Sequence, residues 1–557
     1  MSASESAYWE FRRTAGHDQF RRARDGLIET RTDLAAARAA FRWPRPTQFN
    51  WALEWFDVIA DDNRQAALEI YSPNGRAQIF SFPYLARRSD AVALWLSSLG
   101  VRRHERLLLV LDNVVAQWEM VLACLKLGVV VVASHTSVTR TEAQHRVSSA
   151  SIDHVVCGPP NTDLFREAET QLRICVGERV AGWCDFDDSR DWDGRRYLPE
   201  AATRAADLAF CYFTSGTTSQ PRLVGHTHRS YPLGHLSSVY WNGLLPGDRH
   251  LNVSAAGWAK HAWSSLFVPW SSEATLLVPG HDVSVVELPR LLATARADSF
   301  CAPASVWARL GGVLDTAAVR LREATSAGEP LDPTLAEKVK RAWGVDIREG
   351  YGQSETTALA GTPPGYPTRP GVVGPPLPGY DLTIRGVEGG GVCGPGQIGE
   401  VCVDLTEDPV GIMVGYLGEA GARHGRPDRH FPTGDLGQWE SDGSLRLLGR
   451  SDDVFKSFDH RISPYELERV LLTHHDVAAA AVVPRPHPVG GSVPHAVVVP
   501  QPWALSDPQQ LVSRLLAHCA SHLSPMLRVR SIELAEALPR TVTGKIQRSR
   551  LAPAPDS

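Results

Sequence analysis

Residues 208–222 read L-A-F-C-Y-F-T-S-G-T-T-S-Q-P-R. The opening six are apolar and aromatic, the signature of a buried strand. Hydroxyl side chains then crowd around one glycine: Thr214, Ser215, Gly216, Thr217, Thr218 and Ser219. A loop of this composition lets backbone N–H groups and hydroxyls converge on phosphate oxygens. It is not G-x-x-x-x-G-K-[ST], because the second glycine and its lysine are missing. Outward from it, apolar strand patterns at 106–111, 129–133 and 154–157 alternate with helical patterns through the first 300 residues. That alternation predicts parallel α/β layers. Between about 371 and 449 glycine and proline become dense and short strand-like pieces recur, as at 398–403 and 445–448. This predicts a small antiparallel or barrel-like subdomain. The stretch G-V-E-G-G-G-V-C-G-P-G at 386–396 reads as a loop between strands, since no helix pattern follows it.

A chain of 557 residues exceeds what one core usually supports, so two or more lobes are expected. Fifty-seven basic and 62 acidic residues give a net charge of -5, with no electrostatic footprint for nucleic acid or an anionic membrane. Six of the basic side chains are lysine; the rest are arginine. The amino-terminal residues lack the apolar core of a signal peptide. The apolar run 121–133 is broken by Lys126 and Gly128 and is too short to span a bilayer. It reads as a helix end, 120–127, followed by a buried strand, 129–133. Nine cysteines form no C-x-x-C pair, which argues against a disulfide framework or zinc site. The pairs His226/His228 and His474/His475 have no accompanying ligands in the sequence. A soluble cytoplasmic protein is expected.

A boundary is expected near 449–453, giving domains at 1–450 and 451–557. Beyond it Ser463 can cap a helix, Pro464 suits the first turn and Glu466 completes a capping box. Leu467, Val470 and Leu471 then share a face. The roughly 105 residues after the boundary suffice for a small α+β lobe. The end, A-P-A-P-D-S, reads as a frayed tail.

The hydroxyl loop resembles the phosphate loop of the adenylate-forming superfamily, which includes acyl-CoA synthetases, luciferases and peptide-synthetase adenylation domains. Four more segments match that family in order: S-A-G-E-P-L (326–331), E-G-Y-G-Q-S-E-T-T (349–357), T-G-D-L-G (433–437) with L-G-R (448–450), and P-R-T-V-T-G-K-I-Q-R (539–548). The resemblance spans nearly the whole chain. F-N-W-A-L-E (49–54) and D-I-R-E-G-Y-G-Q-S-E-T (346–356) are most similar to the medium-chain acyl-CoA synthetase branch. The fold it implies is a large amino-terminal lobe of two α/β subdomains plus a small β-barrel-like subdomain, with a mobile α+β carboxy-terminal lobe.

The resemblance implies an AMP-forming acyl-CoA ligase. A carboxylate attacks the α-phosphorus of Mg-ATP to give acyl-AMP and pyrophosphate; CoA thiol then takes the acyl group and AMP leaves. Charge concentrates on several oxygens in the first half, so preorganised donors and cations lower the barrier. By the same resemblance Thr214, Ser215, Gly216, Thr217 and Thr218 hold the β- and γ-phosphates. Gly328, Glu329 and Pro330 line the adenine slot; Tyr351 stacks on the base beside Gly352. Ser354 touches the α-phosphate and Glu355 coordinates Mg²⁺, a hard cation. Asp435 and Arg450 hold the ribose. Lys545 neutralises charge between carboxylate and α-phosphate. Asp452 is the hinge about which the small lobe rotates. Ser457, Phe458, Asp459 and Arg461 face CoA, and Trp258, Pro303 and Val306 line the acyl pocket.

Two departures stand out. The phosphate loop usually reads T-S-G-T-T-G-x-P-K; here Ser219 replaces the last glycine and Arg222 the lysine. Losing one well-aimed donor costs about 10²–10³ in rate. At the lobe junction Asp459 replaces a glycine that faces the pantetheine tunnel. The departures raise an alternative in which adenylation is impaired and a separate adenylating enzyme supplies acyl-AMP. A non-catalytic nucleotide-binding scaffold and an adenylation domain loading a carrier protein are further alternatives.

Overall fold

The computed structural model describes residues 3–214, 221–386, 391–418, 429–458, 460–489, 491–505, 507–525, 527–540 and 546–551. They fall into two compact units, Met1–Asp381 with Asp404–Phe431, and Leu382–Val403 with Pro432–Ser557.

The first unit contains two eight-stranded sheets. In one, Leu208–Thr214 pairs in parallel with Val130–Ala133 and antiparallel with Arg222–Thr227. Beyond Val130–Ala133 lie Arg106–Val110, His154–Cys157, Leu172–Cys175 and Cys184–Asp185, all parallel. Beyond Arg222–Thr227 lies Gly415–Leu417, antiparallel to it. Successive side chains of these strands enter two different cores. Leu107, Leu109, Val131, Phe210 and Tyr212 join one apolar cluster; Leu108, Val110, Val130, Val132, Cys211 and Phe213 join another. Both faces are therefore covered, as a parallel sheet requires, and the strands read as unbroken apolar runs.

The second sheet runs Ala358–Gly361, Ile347–Gly352, Glu323–Ala327, Ser299–Ala302, Arg249–Asn252, Thr275–Pro279, Ala66–Tyr71, Ala77–Ser81. Its six inner strands are parallel and its two edges antiparallel. The expected pair of α/β layers is thus present.

The apolar run containing Lys126 is the helix Val115–Leu127, closed by Gly128 at φ 74°, and then the strand Val130–Ala133. Lys126 is not at the surface. Its Nζ lies 2.8 Å from Asp57 Oδ1 and 2.7 Å from Asp90 Oδ1, and donates to Ala86 O at 3.0 Å. Arg12 pairs with the same Asp57 at 2.9 Å, and all four side chains are fully buried. Removing one member leaves an uncompensated buried charge, which costs about 3–5 kcal/mol. Lys126→Ala is expected to lose about that much unfolding free energy in a urea titration. A loss below 1 kcal/mol would show that the cluster reorganises.

The second unit holds a four-stranded sheet, Leu382–Arg385, Gly399–Asp404, His430–Trp439 and Leu445–Arg450, with the outer strands unpaired to each other among the described residues. It also holds the hairpin Phe455–Ser457/His460–Ile462 and the three-stranded sheet Val477–His487, Gly491–Pro500, Ser531–Leu534. Helix Pro464–Leu472 buries Leu467 and Leu471 against this sheet, as its periodicity predicts. The expected capping box at Ser463 does not form. The Ser463 hydroxyl instead donates to Leu448 O at 2.6 Å, so a tertiary acceptor outcompetes the local one. His474 and His475 do have a neighbouring ligand type, contrary to the sequence reading: Asp476 lies with them within 4.8 Å. That carboxylate is already paired with Arg514 at 2.9 Å. No described helix is long and apolar enough to cross a membrane.

Candidate active site

In the first unit Thr214 and Arg222 are register partners, and the Thr214 hydroxyl donates to Arg222 O at 3.4 Å. The hydroxyl run therefore connects two antiparallel strands. Ser215, Gly216, Thr217, Thr218 and Ser219 themselves lie outside the described residues. Tyr416, on the next strand, pairs with Val224. The Arg222 guanidinium lies over the Tyr416 ring, 4.0 Å from its centroid. The Tyr416 hydroxyl donates to Glu355 Oε1 at 2.8 Å, and Glu355 O accepts from Met413 N at 2.8 Å. One strand end thus assembles Thr214, Arg222, Tyr416 and Glu355.

The loop around Glu355 is pinned further. His226 is fully buried, and burial pushes its imidazole down to about 4. A neutral ring with Nε2 2.7 Å from Ser354 O donates there. Gln353 N donates to the Thr356 hydroxyl at 3.0 Å, and Thr357 N to Gly411 O at 3.0 Å. A carboxylate oriented in this way is a suitable oxygen ligand for Mg²⁺, which draws its other ligands from phosphate and water.

The adenine-slot residues follow two adjacent parallel strands, Glu323–Ala327 and Ile347–Gly352, with Ala327 opposite Gly350. Gly328 has φ 101° and Glu329 and Pro330 follow it; Leu331 N donates to Glu349 Oε2 at 3.2 Å. Tyr351 is buried. Gly352 is required by crowding: a Cβ there would sit 2.3 Å from Thr357 O. Ligands of open α/β sheets bind at such carboxyl ends.

In the second unit Asp435 and Arg450 face each other across antiparallel strands. Arg450 Nη1 donates to Thr433 O at 3.1 Å and to Asp435 Oδ1 at 3.4 Å, and Nε donates to Asp452 Oδ1 at 3.2 Å. Arg548, from the last motif, donates to Glu468 Oε2 at 2.7 Å and Asp453 Oδ2 at 3.2 Å and stacks on Tyr465. Ser457 is buried, and Phe458 turns the hairpin at φ 47°. Lys545 and Asp459 lie outside the described residues, as does the Arg461 side chain.

Residues 58–417 match the AMP-binding enzyme family, and 466–545 match the AMP-binding enzyme C-terminal domain. The chain belongs to the AMP-binding enzyme family. It is 33% identical over 516 residues to 4-hydroxybutyrate–CoA ligase 1 of Metallosphaera sedula, covering 90% of each chain. It is 30% identical to the mitochondrial acyl-coenzyme A synthetase ACSM3 of Rattus norvegicus, over 95% of this chain and 94% of that one. Its fold matches the crystal structure of the anthranilate CoA ligase AuaEII in complex with anthranoyl-AMP. The TM-score is 0.79 and the identity 24%, covering 91% of this chain and 97% of that one. The full-length relatives make this AMP-binding enzyme an AMP-forming acyl-CoA ligase.

In this family member a small cavity of about 20 Å³ lies beside the strand that leads to the hydroxyl loop. Gly257, Trp258, Gln117, Tyr212 and His261 contribute to its wall. Trp258 stacks on His135 with ring centroids 5.2 Å apart. Gly257, at φ 95°, makes this possible: a Cβ would lie 2.2 Å from His135 N. Pro303 and Val306 are not in that wall; Val306 packs on the core of the second sheet. A larger cleft of about 330 Å³ involves helices Ala15–Glu29 and Leu34–Ala40, which carry none of the site residues.

Sequence reasoning missed Tyr416; it weighed His226 only as a metal ligand and quoted Arg548 only as the end of the last motif, with no role for either. Tyr416 follows Gly415 in a strand of three residues, too short to show periodicity. Arg222, flagged as a departure, has a defined place on Tyr416. An exposed cation–π contact is worth about 0.5–1 kcal/mol. Arg222→Ala is therefore expected to slow acid-dependent pyrophosphate release about two- to fivefold. A loss of 10²–10³ would instead mean that the guanidinium acts directly on phosphate.

Proposed function

We propose that this acyl-CoA ligase carries out both half-reactions itself, on a carboxylic acid with ATP, Mg²⁺ and CoA as co-reactants. The acid carboxylate attacks the α-phosphorus, breaking the bond to pyrophosphate and forming acyl-AMP. The CoA thiol then attacks the acyl carbonyl, breaking the bond to AMP and releasing a proton. Thr214 to Thr218 cradle the β- and γ-phosphates through hydroxyls and backbone N–H groups. Glu355 holds Mg²⁺, which supplies charge neutralisation at the phosphates when bound. Tyr416 and Arg222 fix the direction of that carboxylate. Gly328, Glu329, Pro330, Tyr351 and Gly352 take adenine, Ser354 the α-phosphate, and Asp435 with Arg450 the ribose. Lys545 reaches the developing charge at the α-phosphate; Arg548 anchors the segment that carries it. Asp452 is the hinge of the domain rotation that exchanges Lys545 for the CoA-facing residues Ser457, Phe458, Asp459 and Arg461. Trp258 stands beside the acyl carbonyl.

The observation that carries this reading is the Thr214–Arg222–Tyr416–Glu355 assembly at the mouth of the hydroxyl loop. The test is a pyrophosphate-release screen over carboxylic acids, run beside a CoA-thioester assay. Acid-dependent pyrophosphate with matching thioester supports the proposal. Thioester from supplied acyl-AMP without any pyrophosphate release would restore the split reaction.

A further inference from the structure

The turn between helix Pro464–Leu472 and strand Val477–His487 carries three metal-ligating side chains in a row, His474, His475 and Asp476. One ligand atom from each lies within 4.8 Å of the other two. The imidazoles stack, with centroids 4.8 Å apart and 19° between their planes. His475 Nε2 lies 3.2 Å from Asp476 Oδ1, and His474 Nδ1 lies 3.9 Å from Asp476 Oδ2. The His475 side chain is 80% exposed, whereas His474 and Asp476 are 12% and 6% exposed. An ion therefore reaches the cluster from solvent and rests on a largely buried floor. The backbone beneath is pinned: His474 N donates to Leu471 O at 3.1 Å, Val477 N to His474 O at 3.0 Å and Gln501 N to Asp476 O at 2.8 Å. Arg514 donates to Asp476 Oδ2 at 2.9 Å, which fixes the carboxylate and leaves Oδ1 beside His475. His518, on helix Pro508–His522, packs edge-on against the His474 ring, centroids 5.1 Å apart, and its Nε2 lies 3.1 Å from Val470 O. Outer partners of this kind orient the ligands of metal sites.

We propose that His474, His475 and Asp476 bind one zinc-class divalent cation on the second unit. Two imidazoles and a carboxylate, with water in the fourth position, make a ligand set that zinc accepts. Mg²⁺ and Ca²⁺ are hard cations that take oxygen, so imidazole selects against them. Zinc–ligand bonds of about 2.0–2.1 Å place tetrahedral ligand atoms about 3.3 Å apart. His475 and Asp476 already meet that spacing, and side-chain rotations close the rest. At His474 Nδ1 the ion replaces a long contact from Asp476 N, 3.2 Å. Arg514 keeps Oδ2, so the ion takes Oδ1. The bound ion ties the end of helix Pro464–Leu472 to the start of the next strand. That helix carries Tyr465 and Glu468, which hold Arg548 of the last motif. The site is a structural clamp, independent of the acyl-CoA ligase reading.

The experiment titrates the full-length chain, stripped with EDTA and free of ATP and Mg²⁺, with Zn²⁺ against a chromophoric chelator. One Zn²⁺ per chain is expected to bind and to raise the melting temperature, since a ligand of the folded state stabilises it by mass action. Co²⁺ in its place is expected to give the visible absorption of a tetrahedral ion. His475→Ala and Asp476→Asn are each expected to weaken Zn²⁺ binding by at least about tenfold. His475 is exposed, so its variant is expected to melt like wild type without metal and to lose the zinc-dependent rise; it decides the matter if Asp476→Asn does not fold. Glu355→Gln is expected to bind Zn²⁺ as wild type does, which separates this site from the Mg²⁺ carboxylate. Failure to bind one Zn²⁺ per chain, affinity unchanged in His475→Ala, or Zn²⁺ binding lost in Glu355→Gln overturns the site and leaves the ligase reading intact.

Discussion

Lys545→Ala is expected to cut acid-dependent pyrophosphate release by about 10²–10³, the usual cost of one charge-stabilising donor lost from a transition state. The same variant is expected to keep thioester formation from synthetic acyl-AMP and CoA within a few-fold of wild type. The asymmetry follows from the division of labour. In the first half-reaction a carboxylate approaches an already anionic phosphate, and a cation between them offsets the repulsion. In the second the attacking thiol meets a neutral carbonyl. Lys545→Arg is expected to recover little, because a planar guanidinium does not replace a compact ammonium at a point of converging charge. Measuring the two halves separately checks the account; equal losses in both would make Lys545 a structural residue.

Glu355→Gln is the second large effect. It keeps the shape of the side chain and removes the charge that draws Mg²⁺. Pyrophosphate release is expected to fall by about 10²–10³, with the half-saturating Mg²⁺ concentration raised. Tyr416→Phe removes one hydrogen bond to that carboxylate. A bond to a charged group is worth about 1.5–3 kcal/mol, so a loss of roughly ten- to a hundredfold is expected. Mn²⁺ binding to the ATP complex, followed by electron paramagnetic resonance, separates metal affinity from turnover. Unchanged Mn²⁺ affinity in Glu355→Gln would remove the metal role.

The strand at 208–214 was legible because apolar and aromatic residues run unbroken into a hydroxyl loop, and a strand buried on both faces leaves that imprint. The alternation of layers was legible for the same reason. Pairings between distant residues were not. Lys126 read as an interruption of an apolar run, yet it is the partner of Asp57 and Asp90. Tyr416 and Glu355 are 61 positions apart, and no periodicity links them. Ser463 was read by its local motif, and a carbonyl 15 residues away won its hydroxyl.

The central claim is that one chain makes acyl-AMP and consumes it. The most direct measurement is a single-turnover experiment with excess enzyme, acid and α-labelled Mg-ATP, CoA first omitted and then added. The account predicts acyl-AMP and pyrophosphate in equal amounts before CoA, and conversion of the acyl-AMP to acyl-CoA and AMP after it. Label appearing in ADP, or acyl-AMP that CoA fails to discharge, would contradict it.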